Sequence, residues 1–592
     1  MKPELPALRR LPRWVSLALG LLCVAVGVVL VTRPFTSLSV LAALVAAALL
    51  VTGGLEAAGA RLSPRPGIAV ATGLAWLAAG ILVAAWPGIT IGVIAIVIGI
   101  SMIIGGAGRI ASALRGTADQ RVAAALLGLA SVIFGALALA WPDVTVLVIA
   151  VVFGARTVLF GLSQIAGVFS GRDRGAEAAA GAQARPRGRL RRWSRVAGSA
   201  VALVVALALL AASAAIHRSV TSPGAFYTPA SDVASKPGVL LRSEPFTRDV
   251  PADAKAWLIL YTTTRDTGVP AVASAIVVAP AHPPAGPRPV IAWAHGTTGV
   301  AEPCAPSLVQ HPFAAGALLV LPQILAQGWV VVATDYTGLG TKGPTPFLIG
   351  QGEGRSVLDS VRAAHQLTQL DLAGQTVIWG HSQGGHAALW AGALAPSYAP
   401  DDHVLGVAAL APASDLTGLV ENLASVTGGS IFAAYVVTAY SQAYPDVSFG
   451  RYVRPAARII TRRAAARCLS GPGALVSVAQ SLALDKPVWT GNPATGPFGQ
   501  RLIQNTPVGL VEAPLLIAQG QADTLVLPSV QAQYVRQRCA AGQKLDYLTY
   551  PGRDHVGLVA ADSPLIAALI SWTQDRLAGK PAPDNCPGAV NS

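Results

Sequence analysis

Seven apolar stretches crowd the first 218 residues, at 14–32, 36–56, 68–86, 88–107, 122–141, 144–166 and 197–216. Each is long enough to cross a bilayer core of about 30 Å as a helix. That density of apolar sequence predicts an N-terminal all-α polytopic membrane domain. Of the 592 residues, 53% are hydrophobic and only 12% charged, against about a quarter charged in soluble domains. A single soluble protein and a disordered chain are both excluded.

Charge follows the same division. Residues 1–218 hold 20 Lys and Arg against 6 Asp and Glu, the whole +14 excess, whereas the remainder holds 23 of each. The basic residues precede the first span (Lys2, Arg9, Arg10, Arg13) and lie between alternate later ones (Arg61, Arg65; Arg109, Arg115, Arg121; eight Arg from Arg172 to Arg195). The opposite loops, with Arg33, Trp86-Pro87-Gly88 and Trp141-Pro142-Asp143, are almost free of positive charge. The positive-inside rule places the N-terminus in the cytoplasm of a bacterial cell and everything beyond residue 216 outside. A basic stripe on a polar domain is lacking, so nucleic acid is not an expected partner.

An internal repeat runs through the apolar half. Gly20, Gly27, Pro34 and Gly53 recur as Gly73, Gly80, Pro87 and Gly106, and again as Gly128, Gly135, Pro142 and Gly161, at offsets 7, 14 and 33. Each copy reads as a helical hairpin with small residues spaced for close packing. On these motifs residues 12–170 resemble the HdeD-type acid-resistance membrane proteins, a resemblance that implies six helices and no defined chemistry. Arg156 falls mid-span where the other copies have Ala48 and Ser101. A charge at that depth is costly; snorkelling or pairing with Glu56 is the plain reading, and without a chain of acids or His no ion pathway is supported.

A basic linker, 171–196, leads to the seventh segment, 197–216, which ends in Ala212-Ser213-Ala214-Ala215. It reads either as an anchor or as a signal-like segment cut near residue 215.

From residue 225 to 592 the pattern changes. Apolar runs at 289–294, 329–334, 376–379, 405–410, 514–518 and 546–550 alternate with helical patterns such as 353–370 and 384–394, which predicts a mostly parallel sheet covered on both faces. Residues 413–500 interrupt the rhythm as a helical cap insertion.

The chemistry centres on Gly380-His381-Ser382-Gln383-Gly384-Gly385, directly after an apolar run and before a helical pattern. That is the context of a nucleophile elbow, where a sharp turn lifts a Ser hydroxyl clear of the sheet and glycine is needed on both sides. A Ser nucleophile needs a base, and the base an orienting carboxylate, in the order Ser, acid, His. His386, His403 and His555 follow Ser382; only His555 comes after the last strand. Asp523, after the run 514–518, is the expected acid, with Asp415 and Asp554 as rivals. The oxyanion needs backbone N–H donors, expected from Gln383 and from the peptide around Gly296 and Thr297 in His295-Gly296-Thr297-Thr298-Gly299. His295 and Asp335 are read as structural. No zinc or redox spacing, phosphate loop or dinucleotide fingerprint occurs, so no metal and no cofactor are expected.

These residues resemble the α/β-hydrolases. With Cys304-Ala305-Pro306-Ser307 and Asp335-Tyr336-x-Gly338-x-Gly340, residues 225–590 are similar to the secretory lipase family of the yeast lipase A type. The resemblance implies a triad of Ser382, Asp523 and His555, a cap over an acyl tunnel, disulfides Cys304–Cys468 and Cys539–Cys586, and hydrolysis of carboxylic esters, triacylglycerol lipase-like. The expected activity is a membrane-attached serine lipase or esterase acting on an ester or lipid outside the cytoplasmic membrane. The alternatives are an acyltransferase with the same triad, and a membrane sensor or transporter with a binding-only outer domain.

Overall fold

The computed structural model describes residues 13–32, 66–114 except 86, 118–169, 188–229, 236–484 and 487–586, with scattered residues between 43 and 58. The turn at Pro34, Ala48, the linker through residue 187 and much of the second expected span lie outside the described residues. Two compact units form, one of Met1–His217 with Arg454–Ile460 and Ala483–Pro487, the other of Arg218–Val453, Thr461–Leu482 and Val488–Ser592.

In the first unit the apolar runs are helical: α1 (Arg13–Thr32), α2 (Leu49–Ala58), α3 (Pro66–Ala85), α4 (Pro87–Ser112), α5 (Ala118–Ala140), α6 (Pro142–Phe169) and α7 (Gly188–Arg218). Among the described residues, α4, α5, α6 and α7 are long and apolar enough to cross a membrane. Shorter apolar stretches run along α1 (Leu17–Val29), α2 and α3 (Val70–Ala85).

The repeat glycines are where helices touch, but not within a hairpin. A Cβ on Gly53 would meet the carbonyl oxygen of Gly73, one on Gly106 that of Gly128, and one on Gly161 that of Gly20. The end of each copy thus packs on the start of the next, and the third packs on the first. Only a missing side chain lets the backbones approach so closely. The seventh helix joins this unit through Trp141, whose Nε1–H donates to Ser213 Oγ at 2.9 Å and whose ring meets His217 edge-on at 5.4 Å.

The second unit is a nine-stranded sheet in the order β1-β2-β3-β5-β4-β6-β7-β8-β9. Strands β4 (Arg288–Ala294), β5 (Val330–Thr334), β6 (Leu372–His381), β7 (Val404–Leu410), β8 (Leu515–Gly520) and β9 (Asp546–Tyr550) pair in parallel. They coincide with the six apolar runs, and their Val and Ile side chains are buried on both faces, as a covered parallel sheet requires. An antiparallel meander at one edge, β1 (Leu240–Phe246), β2 (Ala254–Thr264) and β3 (Pro270–Pro280), was not apparent from the sequence.

Helices α8 (Gly350–Ala364) and α9 (Gln383–Tyr398) pack on the sheet. Between β7 and β8 lie α10 (Leu416–Asn422), α11 (Gly429–Ala443), α12 (Arg458–Ala465), α13 (Gly473–Leu482) and α14 (Gly496–Asn505). Helices α15 (Pro528–Ala540) and α16 (Pro564–Leu577) complete the unit. Disulfides join Cys304 to Cys468 and Cys539 to Cys586, and Cys23 is free.

Candidate active site

Strand β6 ends at His381 and α9 begins at Gln383, so a single residue makes the turn. That residue, Ser382, has φ +60° and ψ −118°, a strained conformation for a side chain other than Gly. The flanking glycines are forced by space. A Cβ on Gly380 would collide with the carbonyl oxygen of Gly384, and one on Gly384 with that of Ala294.

Three side chains from distant parts of the chain converge here. The Ser382 hydroxyl lies 2.8 Å from His555 Nε2, placed to donate to it, and His555 Nδ1–H donates to Asp523 Oδ2 at 2.7 Å. Asp523 follows β8 and is buried. Its Oδ1 accepts the N–H groups of Leu525 and Val526, each at 2.9 Å, and Oδ2 also accepts from Gln519 Nε2 at 3.1 Å. Burial pushes this carboxyl up. The hydrogen bond and charge of His555, with the two backbone donors, outweigh burial and leave it below its ordinary value.

Gln383 and Thr297 line the same cavity as Ser382. Gln383 opens α9, so its N–H has no intrahelical acceptor. In the loop after β4, the N–H of Gly296 donates to the carbonyl of Gly316 at 3.1 Å and is already committed. Thr297 has no such backbone partner and lines the same cavity as Ser382 and Gln383. The expectation for the Gly296–Thr297 peptide therefore narrows to Thr297. The loop is braced from the cap, because Leu469 N–H donates to Thr298 O at 2.7 Å beside the Cys304–Cys468 bond.

The remaining candidates sit elsewhere. His386 is buried in a pair with Glu353 at 2.6 Å, its other ring nitrogen 2.8 Å from the Asn505 carbonyl. His403 occupies a left-handed turn before β7, bonded through its carbonyl to Thr376 N–H and so at the far end of β6 from Ser382. Asp415 caps α10 through Gly418 N–H, and Asp554 accepts from Gly557 N–H in its own turn. His295 Nδ1–H donates to the Gly296 carbonyl, and complete burial pulls its pKa down to about 4, so the ring is neutral. Asp335 accepts from Ser274 Oγ and from both Oγ and N–H of Ser307, tying β5 to the Cys304–Ser307 segment.

Two polar clusters were not anticipated. Glu353, fully buried on α8, accepts from Gln383 Nε2 at 2.7 Å and Leu348 N–H at 2.9 Å as well as from His386. Burial raises its carboxyl and these donors oppose the rise. His381 Nε2–H donates to the carbonyl oxygen of His555 at 2.9 Å, and burial, aided by His555, drives its pKa down to about 3. Gln519, buried at the end of the run Leu-Leu-Ile-Ala-Gln, supports Asp523 instead, and a lone Gln in such a run is the signal that marks it.

Beside Ser382 opens an apolar cleft. Phe347 and Leu348 precede α8, Leu419 and Leu423 belong to α10 and its end, and Phe432 and Val436 come from α11. The cap thus supplies much of the wall. Among the described residues no cluster of His, Cys, Asp and Glu is arranged to hold a metal ion.

Residues 313–585 match the family described as Secretory lipase, and residues 18–69, 71–127 and 126–211 match a short repeat of unknown function, DUF308. Lipase 6 of Candida albicans is 26% identical over 407 residues, covering 61% of this chain and 82% of that lipase. Lipase A of Moesziomyces aphidis is 26% identical over 393 residues, covering 60% and 82%. The crystal structure of Candida antarctica lipase A in its closed state superposes with a TM-score of 0.52 at 24% identity, covering 61% of this chain and 87% of that one, which shows the α/β-hydrolase fold. The C-terminal part of the chain is therefore similar to the secretory lipases and is a carboxylic ester hydrolase, and its N-terminal part matches the DUF308 repeat.

Proposed function

We propose that this protein is a membrane-attached serine lipase or esterase whose active side lies outside the cytoplasmic membrane and which works through an acyl-enzyme. The observation that carries the reading is the chain of contacts Ser382 Oγ, His555 and Asp523 at 2.8 and 2.7 Å, opening on an apolar cavity. His555 takes the Ser382 proton as the hydroxyl attacks the ester carbonyl, and Asp523 holds the ring tautomer and stabilises the imidazolium. The N–H groups of Gln383 and Thr297 receive the oxyanion. His555 then returns the proton to the leaving alcohol and activates water against the acyl-enzyme.

The apolar wall supports an acyl chain as the group held there, and similarity to lipases supports a lipid ester as substrate. The tie of α7 to Trp141 through Ser213 and His217 supports a retained anchor rather than release near residue 215. It also supports placing the Trp141 turn and the end of α7 on one side, outside, with the N-terminus in the cytoplasm.

The test uses the full chain purified in detergent. Turnover of p-nitrophenyl esters and labelling of Ser382 by a fluorophosphonate are expected, and Ser382→Ala abolishes both. Equal turnover by that variant ends the proposal.

A further inference from the structure

Helix α13 has its polarity inverted. Ser477 and Gln480 are buried at 3% and 4% exposure, whereas Leu475, Val478 and Leu482 are 73%, 38% and 67% exposed. Positions 475, 478 and 482 recur at helical spacing, so the aliphatic residues form one stripe facing outward. Polar anchors fix the roll of the helix. Ser430 Oγ on α11 donates to Ser481 Oγ at 2.7 Å, and Arg467 Nη1–H donates to Gln480 Oε1 at 3.2 Å. Turning the stripe inward would break both.

The sequence leading into this helix is strongly basic. Arg451, Arg462, Arg463 and Arg467 of the same compact unit fall within it, and no Asp or Glu occurs from residue 447 to 484, although residues 219–592 are balanced overall. Arg451, Arg462 and Arg463 are exposed. The helix itself carries no charge, so the outward aliphatic stripe supplies apolar area and the exposed arginines that precede it supply attraction, the two contributions that hold a surface on an anionic membrane.

We propose that α13, with the exposed Arg462 and Arg463 that precede it, forms a membrane-docking patch, seating Leu475, Val478 and Leu482 among the headgroups of an anionic phospholipid bilayer. A second copy of the chain is a poorer occupant, because it would bring its own arginines against these. The stripe also lacks the aromatic anchors that mark protein interfaces. The patch is linked to the proposed site. Helix α11, gripped through Ser430, carries Phe432 and Val436 into the cavity beside Ser382. Docking α13 therefore brings the roof of the acyl cavity to the lipid surface, which makes a membrane lipid ester the substrate class. The docking claim rests on the membrane-attached reading and not on the catalytic one.

The test uses the full chain with Cys23→Ser, the change that removes the free thiol. Single cysteines at Leu475, Leu482 or, as a control, exposed Ser397 carry a bimane probe. The protein is placed in phosphatidylcholine nanodiscs, with or without phosphatidylglycerol, containing lipids nitroxide-labelled near the headgroup. Quenching at 475 and 482 is expected to exceed that at 397 by about twofold or more with phosphatidylglycerol present. Arg462→Gln with Arg463→Gln should reduce it. Quenching should persist with Ser382→Ala, which separates docking from catalysis. Leu475→Ser with Leu482→Ser should leave turnover of a short soluble ester unchanged and lower turnover of a diacylglycerol in the disc. Equal quenching at all three positions, or a probe that stays water-exposed, overturns the proposal. So does a blue-shifted but unquenched probe whose shift vanishes on dilution, which would assign the stripe to a second copy.

Discussion

His381 Nε2–H donates to the carbonyl oxygen of His555 at 2.9 Å, so the residue before Ser382 grips the backbone of the residue whose ring meets Ser382. Replacing it by Phe removes that donor. Because the His381 pKa is down at about 3, the ring is neutral throughout the working range. His381→Phe is expected to lower kcat about tenfold with KM little changed, a loss of about 1.4 kcal/mol in the barrier. His381→Asn, which keeps a donor, should recover part of it. The acid limb of the pH–rate profile should keep its position in both variants, and a limb that moves would assign His381 a proton-transfer role.

Asp523→Asn tests the orienting carboxylate. The amide can present its N–H to His555 Nδ1 and stabilise the wrong tautomer, so kcat should fall by about 10⁴. Stability should change much less, because Leu525 and Val526 still find an acceptor. Single-turnover acylation by a p-nitrophenyl ester measures the loss; a fall under tenfold would return Asp415 or Asp554 to consideration.

Glu353→Gln leaves His386 buried without its carboxylate partner at 2.6 Å. Breaking a buried pair from one side costs about 3 kcal/mol or more, so the thermal inactivation temperature should drop by several degrees. Since Glu353 also holds the Gln383 side chain, kcat should fall more than KM rises. Unchanged inactivation would mean that the pair adds nothing to the fold.

Burial holds the Asp335 carboxyl up at about 6. A carboxyl raised above its unfolded value favours the folded state in its protonated form. Its contribution is complete below the ordinary carboxylate value and is lost as pH rises through about 6. Relative to Asp335→Asn, the wild type should therefore lose about 3 kcal/mol between roughly pH 4 and 7. Inactivation temperatures of both proteins across that range check it; parallel curves would show that the group titrates normally.

Removing the Cys304–Cys468 bond with paired Ser substitutions frees the cap segment that braces Thr298. A loss of about 2–4 kcal/mol in stability is expected. Slower acylation should accompany it, because Thr297 is positioned by the same loop. The inactivation temperature and the acylation rate should fall together, and a rate that stays constant would separate the loop from the cap.

Much of this was legible in advance. Strands β4 to β8 follow apolar runs, because a strand covered on both faces is built on apolar side chains, while β9 at the edge keeps Asp546 and an exposed Thr549. The Ser382 elbow is readable because steric crowding leaves no choice but glycine at 380 and 384. The edge meander β1–β3 departs from strand–helix alternation, and its one local cue is Asp266-Thr267-Gly268, which joins two apolar stretches as a hairpin turn. Gly296 and Thr297 could not be told apart, since what commits the Gly296 N–H is Gly316, twenty residues away and contributed by an irregular segment. Glu353 and His386 were unreadable as a pair for the same reason: nothing local announces a partner 33 residues distant.

The glycine contacts in the N-terminal unit run from Gly53 to Gly73, from Gly106 to Gly128, and from Gly161 back to Gly20. A linear array could gain or shed a unit at its ends and keep its remaining joints. A cycle has no end to trim: deleting any one copy strips two joints at once, and the two copies that remain would have to close on each other at a wider turn. Each copy is thereby held from both sides, so damage to one joint loads the other two.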